Sequence, residues 1–162
     1  MNKGGWVAVA VIGGVALYFM TRTKWTPPAA AQPYLADIMA AEYQNGMPRY
    51  LLARLLYQES RYRWDIISGE TTSAAGAVGI AQIVPKWHPD VDPLDPVSSI
   101  YYAAKYLTKL KNQFGDWETA LAAYNWGMGN VNSAMKAKGY KWLASAPTET
   151  QNYVSEIWGD VA

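Results

Sequence analysis

Leu52, Leu55, Leu56 and Glu59 recur at i, i+3, i+4 and i+7, the spacing that lays side chains along one face of a helix. A carboxyl on a leucine stripe is drawn toward the core. Burial there disfavours the ionised form, and the negative end of the helix dipole near the C-terminus acts in the same sense. The expectation is a raised pKa and a carboxyl still protonated near neutral pH. That is the state a general acid needs to protonate a leaving oxygen such as that of a glycosidic bond. The same spacing also permits a glutamate that swings to solvent or bonds a backbone amide. Periodicity leaves both readings open.

Other chemistries have few residues to use. The chain has no cysteine and a single histidine, His88, which excludes thiolate nucleophiles and makes a Ser-His-Asp triad or a multi-histidine metal site improbable. Asp90 and Asp92 follow His88 in a proline-rich turn (HPDVDPLDP) that reads as a loop; hard-cation loops gather more oxygen ligands. No metal and no cofactor are expected. The 14 basic and 13 acidic residues are spread along the chain for a net charge of +1, so no basic face stands out and nucleic acid is not an expected partner. Eight Trp and twelve Tyr against two Phe favour rings with a polar handle, suited to stacking on sugars or to a wet cleft as well as to simple packing.

The elements that must position these groups can be read from local signals. The 162 residues suffice for one compact domain with appendages. Residues 6–20 are apolar and uncharged, with Lys3 before and Arg22 and Lys24 after. Extended to 5–22, the stretch nears the ~17-residue lower limit for a span, and a membrane helix is expected, with a cleavable signal peptide ending near Ala29–Ala31 as the rival. Residues 23–33 read as an extended Pro/Ala linker, and 34–162 as the catalytic domain.

Within that domain the fold class is mostly α, with a small loop or β element. Apolar spacing predicts a first helix over 34–43, stopped by Asn45-Gly46. A second carries the leucine stripe, with Pro48 at its first position. The Ser/Thr/Ala/Gly-rich stretch 67–84 reads as the loop or β element. Asp95-Pro96 opens a long helix ending near Gly115, Asp116 caps another through Trp126, a further one covers 130–138, and Pro147-Thr148 begins the last.

Four separated motifs then occur in one order: Glu59-Ser60, SAAGAVGIAQIVP over 73–85, AAYNWGMGNV over 122–131, and PTETQNYV over 147–154. Together they resemble the soluble-lytic-transglycosylase (SLT) family, whose fold is lysozyme-like, over essentially everything after the linker. The resemblance implies peptidoglycan glycan strands as substrate and non-hydrolytic cleavage of the MurNAc-β-1,4-GlcNAc bond. Glu59 would be the sole acid and base, protonating the leaving oxygen and then taking the proton of the sugar's own 6-hydroxyl to give a 1,6-anhydro muramic end. It further implies that Ser73 orients the glutamate, that Gln82 and Tyr124 line the sugar subsites, that Asn125 shapes the same wall, and that Tyr153 hydrogen-bonds near the glutamate. Glu149, in the last motif, reads as helix first-turn charge.

Two departures stand out. The family's Gly-Leu-Met-Gln-x-Met-Pro run is here GIAQIVP, lacking the methionines that border the cleft. The stretch from Glu59 to Ser73 is also longer than usual and carries Asp65 and Glu70, either of which could serve a hydrolytic muramidase as a second carboxylate. A catalytically inactive wall-binding or assembly protein is the non-enzymatic alternative. The expected location is a membrane anchor with the domain facing the periplasm and cell wall, in a virion or an envelope-spanning secretion machine with assembly partners of its own.

Overall fold

Seven α-helices and no strand are formed by the residues that the computed structural model describes, 25–159 and 161. They are α1 (Leu35–Gln44), α2 (Leu51–Ser60), α3 (Trp64–Ile67), α4 (Pro96–Phe114), α5 (Trp117–Trp126), α6 (Met128–Lys138) and α7 (Thr148–Trp158). The local signals act where expected at several ends. Asp95 accepts from the Val97 and Ser98 N–H groups to start α4, and the Asp116 carboxylate accepts from Thr119 N–H at 2.7 Å to start α5. Each supplies an acceptor to helix donors that lack an intrahelical partner.

The core is one cluster. α4 packs on α1 and α5, α5 on α6 and α7, and α2 on α1 and α7. Leu52, Leu55 and Leu56 are fully buried on α2 and meet Ile100, Leu107, Leu121 and Ile157 in this core. Each such side chain contributes about 1.5–3 kcal/mol by leaving water.

Four expectations need correction. The second helix begins at Leu51, not Pro48. Pro48 heads a turn whose carbonyl accepts from Leu51 N–H at 3.1 Å, and Tyr50 adopts a left-handed φ of 64°. Helix α2 has no cap from its own sequence; instead Glu42, buried at the end of α1, accepts from the N–H groups of Tyr50, Leu52 and Ala53 at 3.0, 2.9 and 3.3 Å. The sixth helix starts at Met128, two residues early, directly after Gly127 at φ 90°.

The β element shrinks to one antiparallel bridge, Val78 with Ile83, because the chain reverses at once between them and leaves no length for a strand. Gly79 is required there. With φ at 79°, a Cβ at this position would sit 1.8 Å from the Pro93 carbonyl oxygen, so the 79–83 turn and the proline-rich loop are in direct backbone contact.

From Trp25 onward, the stretch expected to be an extended linker is instead folded onto the body. Residues Ala29–Tyr34 form a 3-10 helix with Ala31 fully buried. Trp25 packs edge-on against Tyr50 and Tyr57, at 6.1 and 6.2 Å between ring centres, with the Arg54 guanidinium 5.0 Å from its ring centre. Burying a tryptophan ring outweighs the solvation that keeps Pro/Ala chains extended. The membrane helix expected over 5–22 lies outside the described residues; none of the helices described is long and apolar enough to cross a membrane.

Candidate active site

Helix α2 delivers Glu59 one residue before its end. The helix is stopped by two consecutive left-handed residues, Arg61 at φ 52° and Tyr62 at φ 54°. The turn is held by the Tyr62 hydroxyl, which donates to the Ala53 carbonyl at 2.7 Å, and by Ser60, whose hydroxyl donates to Leu56 O at 3.0 Å. The carboxyl of Glu59 is surrounded by protein yet the residue keeps some accessible surface, as a group that must meet a substrate requires.

Tyr153 on α7, itself buried, donates its hydroxyl to Glu59 Oε1 at 2.5 Å. Burial pushes the Glu59 pKa up to about 7; the Tyr153 hydrogen bond pulls it down and the negative charge of Glu149 pushes it up further. The balance leaves a carboxyl that is a substantial fraction protonated at neutral pH, so it can give a proton and, once ionised, take one back.

Around this pair the other sequence-derived residues fall in different places. Tyr124, whose pKa is raised by burial and further by the Glu59 charge, donates to the Ala81 carbonyl at 2.9 Å. It also lines a cavity of about 320 Å3 together with Gln82 and Asn125. Gln82 holds a left-handed φ of 46°, and its side-chain amide donates to Gly79 O at 3.1 Å; a non-glycine residue held in this conformation is backbone strain at a candidate site. Asn125 Oδ1 accepts from the Thr150 hydroxyl at 2.8 Å, joining α5 to α7. Ser73 stands apart from the carboxyl in bonding: its hydroxyl accepts from Ala77 N–H at 2.9 Å, closing its own loop, and it makes no hydrogen bond to Glu59. The hydrogen bond to Glu59 comes from Tyr153.

The acid brought to Glu59 is not one of the two anticipated. Asp65 is ion-paired with Arg63 at 2.6 Å and accepts from the Thr71 hydroxyl at 2.9 Å, which lowers its pKa, and Glu70 is exposed in the following loop. Glu149, in the first turn of α7 and one helical turn before Tyr153, is the acid whose charge reaches Glu59. The sequence also did not show that Trp87, His88, Tyr102 and Tyr106 would share the cavity wall with Gln82 and Tyr124. The i, i+4 spacing of the two tyrosines on α4 was the available signal. Among the described residues no group of three or more His, Cys, Asp or Glu could hold a metal ion.

Residues 37–143 match the family model described as the Transglycosylase SLT domain. The chain belongs to this family. The matched stretch contains Glu59, Ser73, Gln82, Tyr124 and Asn125, and ends before Tyr153, so the Glu59–Tyr153 pair stands on its geometry. Among similar proteins, the "Transglycosylase" of Enterobacteria phage PRD1 is 33% identical over 117 residues, covering 69% of this chain and 42% of that protein. The "Membrane-bound lytic murein transglycosylase D" of Escherichia coli is 31% identical over 143 residues, covering 78% of this chain and 30% of that protein. This SLT-family chain thus spans less than half the length of either relative. The X-ray structure of the lytic transglycosylase Slt of Pseudomonas aeruginosa, an inactive glutamate-to-glutamine mutant, shares the fold with a TM-score of 0.64 at 20% identity, over 79% of this chain and 23% of that one.

Proposed function

We propose that the chain is a peptidoglycan lytic transglycosylase that cleaves the bond from MurNAc to GlcNAc without water, with Glu59 as its acid and base. The observation that carries this is the Glu59 carboxyl itself: buried, held by the Tyr153 hydroxyl and left able to protonate near neutral pH. Protonated Glu59 gives its proton to the glycosidic oxygen as the C1–O bond breaks. The resulting carboxylate faces an oxocarbenium-like sugar, whose positive charge it stabilises. It then accepts the proton of the C6 hydroxyl as that oxygen bonds C1, leaving a 1,6-anhydro ring and restoring the acid. Protons balance, and no water enters.

Gln82, Tyr124 and Asn125 would hold the sugar on one side of the cut. Ser73, bonded within its own loop, would act through the shape of that loop more than through contact with the glutamate. Hydrolysis is the second reading, favoured by the charge of Glu149 that reaches Glu59; in it Glu149, in place of Asp65 or Glu70, activates water. Mass spectrometry of muropeptides released from purified peptidoglycan separates the two: anhydro ends, lighter by one water, support the transglycosylase, and reducing ends would overturn it in favour of hydrolysis.

The catalytic unit is taken as residues 34–162, and residues 5–22 as a membrane anchor that keeps this unit at the wall, in a virion or a secretion machine. Their apolar, uncharged composition with flanking basic residues supports the anchor. Release of the full chain from membranes by an alkaline wash would count against it.

A further inference from the structure

Beyond Tyr124 the ring-bearing residues do not stop. Tyr106 lies 5.7 Å from Tyr124 between ring centres, and His88 lies 4.9 Å from Tyr106, edge to face. Tyr102 stacks alongside Tyr106 at 6.3 Å and 16°, and its hydroxyl is 2.8 Å from His88 Nδ1. Trp87, next in the chain to His88, is 69% exposed although it forms part of the same cavity wall. A track of rings therefore leads from Tyr124, which the Glu59 charge reaches, toward the exposed indole of Trp87, one face of which has the Lys86 ammonium 4.8 Å from its ring centre.

The loop that carries Trp87 and His88 is anchored at its far end. The Pro93 carbonyl lies against Gly79, and the Ser99 hydroxyl of α4 donates to the carbonyls of Asp92 and Pro93 at 3.3 and 3.1 Å. This fixes the loop both to the turn that bears Gln82 and to the helix that bears Tyr102 and Tyr106. The cavity of about 320 Å3 is at the small end of ligand pockets, which run from ~300 to ~1,000 Å3, and suits one sugar unit. Where the family pattern has a methionine, Val84 lines this cavity, and the shorter side chain leaves the space to be defined by the rings.

We propose that Trp87, His88 and the Tyr102–Tyr106 pair form the specificity wall of the sugar subsite that Gln82, Tyr124 and Asn125 also line, and hold there one N-acetylhexosamine ring of the glycan strand. Trp87 offers the apolar face on which a pyranose stacks. The Tyr102 hydroxyl, the better proton donor of the two, gives its hydrogen to His88 Nδ1, which fixes the tautomer with the proton on Nε2. Nε2 has no hydrogen-bond partner among the described residues and donates to the acetamido carbonyl of the sugar. His88 is thereby a specificity residue for N-acetylated sugars, and Tyr102 a positioning residue acting through it. The subsite rests on the glycan-cleaving function proposed above.

Binding of chitopentaose to the full chain carrying Glu59→Gln, measured by titration calorimetry, tests it. Trp87→Ala and His88→Ala should each weaken binding about tenfold, the size expected for one lost hydrogen bond or stacking contact. Tyr102→Phe, which keeps the ring and its packing, should weaken it less but in the same direction, so the subsite can be judged even if the His88 variant does not fold. The deacetylated pentamer should bind the His88 variant and its parent alike. If all three variants bind chitopentaose as tightly as their parent while the wild-type chain releases anhydro-muropeptides, the subsite is wrong and the function stands. If the parent binds no chitopentaose and the wild type releases no muropeptide, both are wrong.

Discussion

The Tyr153 hydroxyl reaches Glu59 Oε1 at 2.5 Å across 94 positions of sequence, and this bond tempers the effect of burial on the carboxyl. A hydroxyl donor stabilises the ionised form, so it opposes the burial that raises the Glu59 pKa. Tyr153→Phe should therefore raise the Glu59 pKa above about 7 and let the carboxyl rotate. We expect kcat for wall solubilisation to fall by about tenfold, with the acidic form persisting to higher pH. An unchanged rate and profile would remove Tyr153 from the positioning role.

Glu149 acts on the same carboxyl in the opposite sense, because a neighbouring negative charge disfavours ionisation. Glu149→Gln should move the alkaline limb of the kcat profile to lower pH while anhydro products persist. If Glu149 instead activates water, the same change would abolish product release at every pH.

Glu59→Gln should reduce release of muropeptides by at least about 1,000-fold, as expected for the loss of general acid–base catalysis. It should also change stability in a defined pH window. The folded pKa of about 7 lies above the ordinary 4.5, so folding is favoured by the protonated carboxyl below about 4.5 and loses that contribution as pH rises through about 7. The variant, which cannot ionise, should gain on wild type by about 1–3 kcal/mol at pH 8 and show no such gain at pH 4. Urea denaturation at the two pH values reads the difference.

Glu42 supports the helix that carries Glu59. It is buried, its pKa is raised to about 7 by desolvation against the pull of backbone hydrogen bonds, and it accepts from three N–H groups at the start of α2. Glu42→Ala should cost about 2–4 kcal/mol by leaving buried donors without an acceptor. Glu42→Gln should cost less, because one amide oxygen still accepts. A loss below 1 kcal/mol for the alanine variant, measured by denaturation, would contradict the remote cap.

Gly79→Ala would place a methyl within 1.8 Å of the Pro93 carbonyl oxygen in a left-handed backbone. The expected result is a loss of about 2–4 kcal/mol of stability and, if the chain folds, a displaced Trp87–His88 loop with weakened chitopentaose binding. Wild-type stability would show that the two loops are free to separate.

The features legible in the sequence are those whose cause lies within a turn of chain. Asp95-Pro96, Asp116 and Gly127 mark helix ends because caps act on donors or carbonyls within a turn of chain, and the Leu52–Leu55–Leu56–Glu59 stripe predicts a carboxyl drawn inward because helical periodicity is local. Three of the four motifs lie within the stretch 37–143 that matches the family, because short motifs are written in neighbouring residues. Tertiary structure decided what depends on helices docking. Glu42 became the cap of α2 only when the end of α1 was folded against it, which is why Pro48 misled the helix start. Trp25 and Ala31 left an extended form because the body offered a surface to bury them. Glu149, rather than Asp65 or Glu70, came to Glu59 because α7 packs on α2, and His88, which stands alone in sequence, met Tyr102 and Tyr106 across a loop. Burial, charge coupling and hydrogen bonding between distant residues fall off within a few ångströms, so they follow from which surfaces meet in space, and residue spacing along a chain does not encode that meeting.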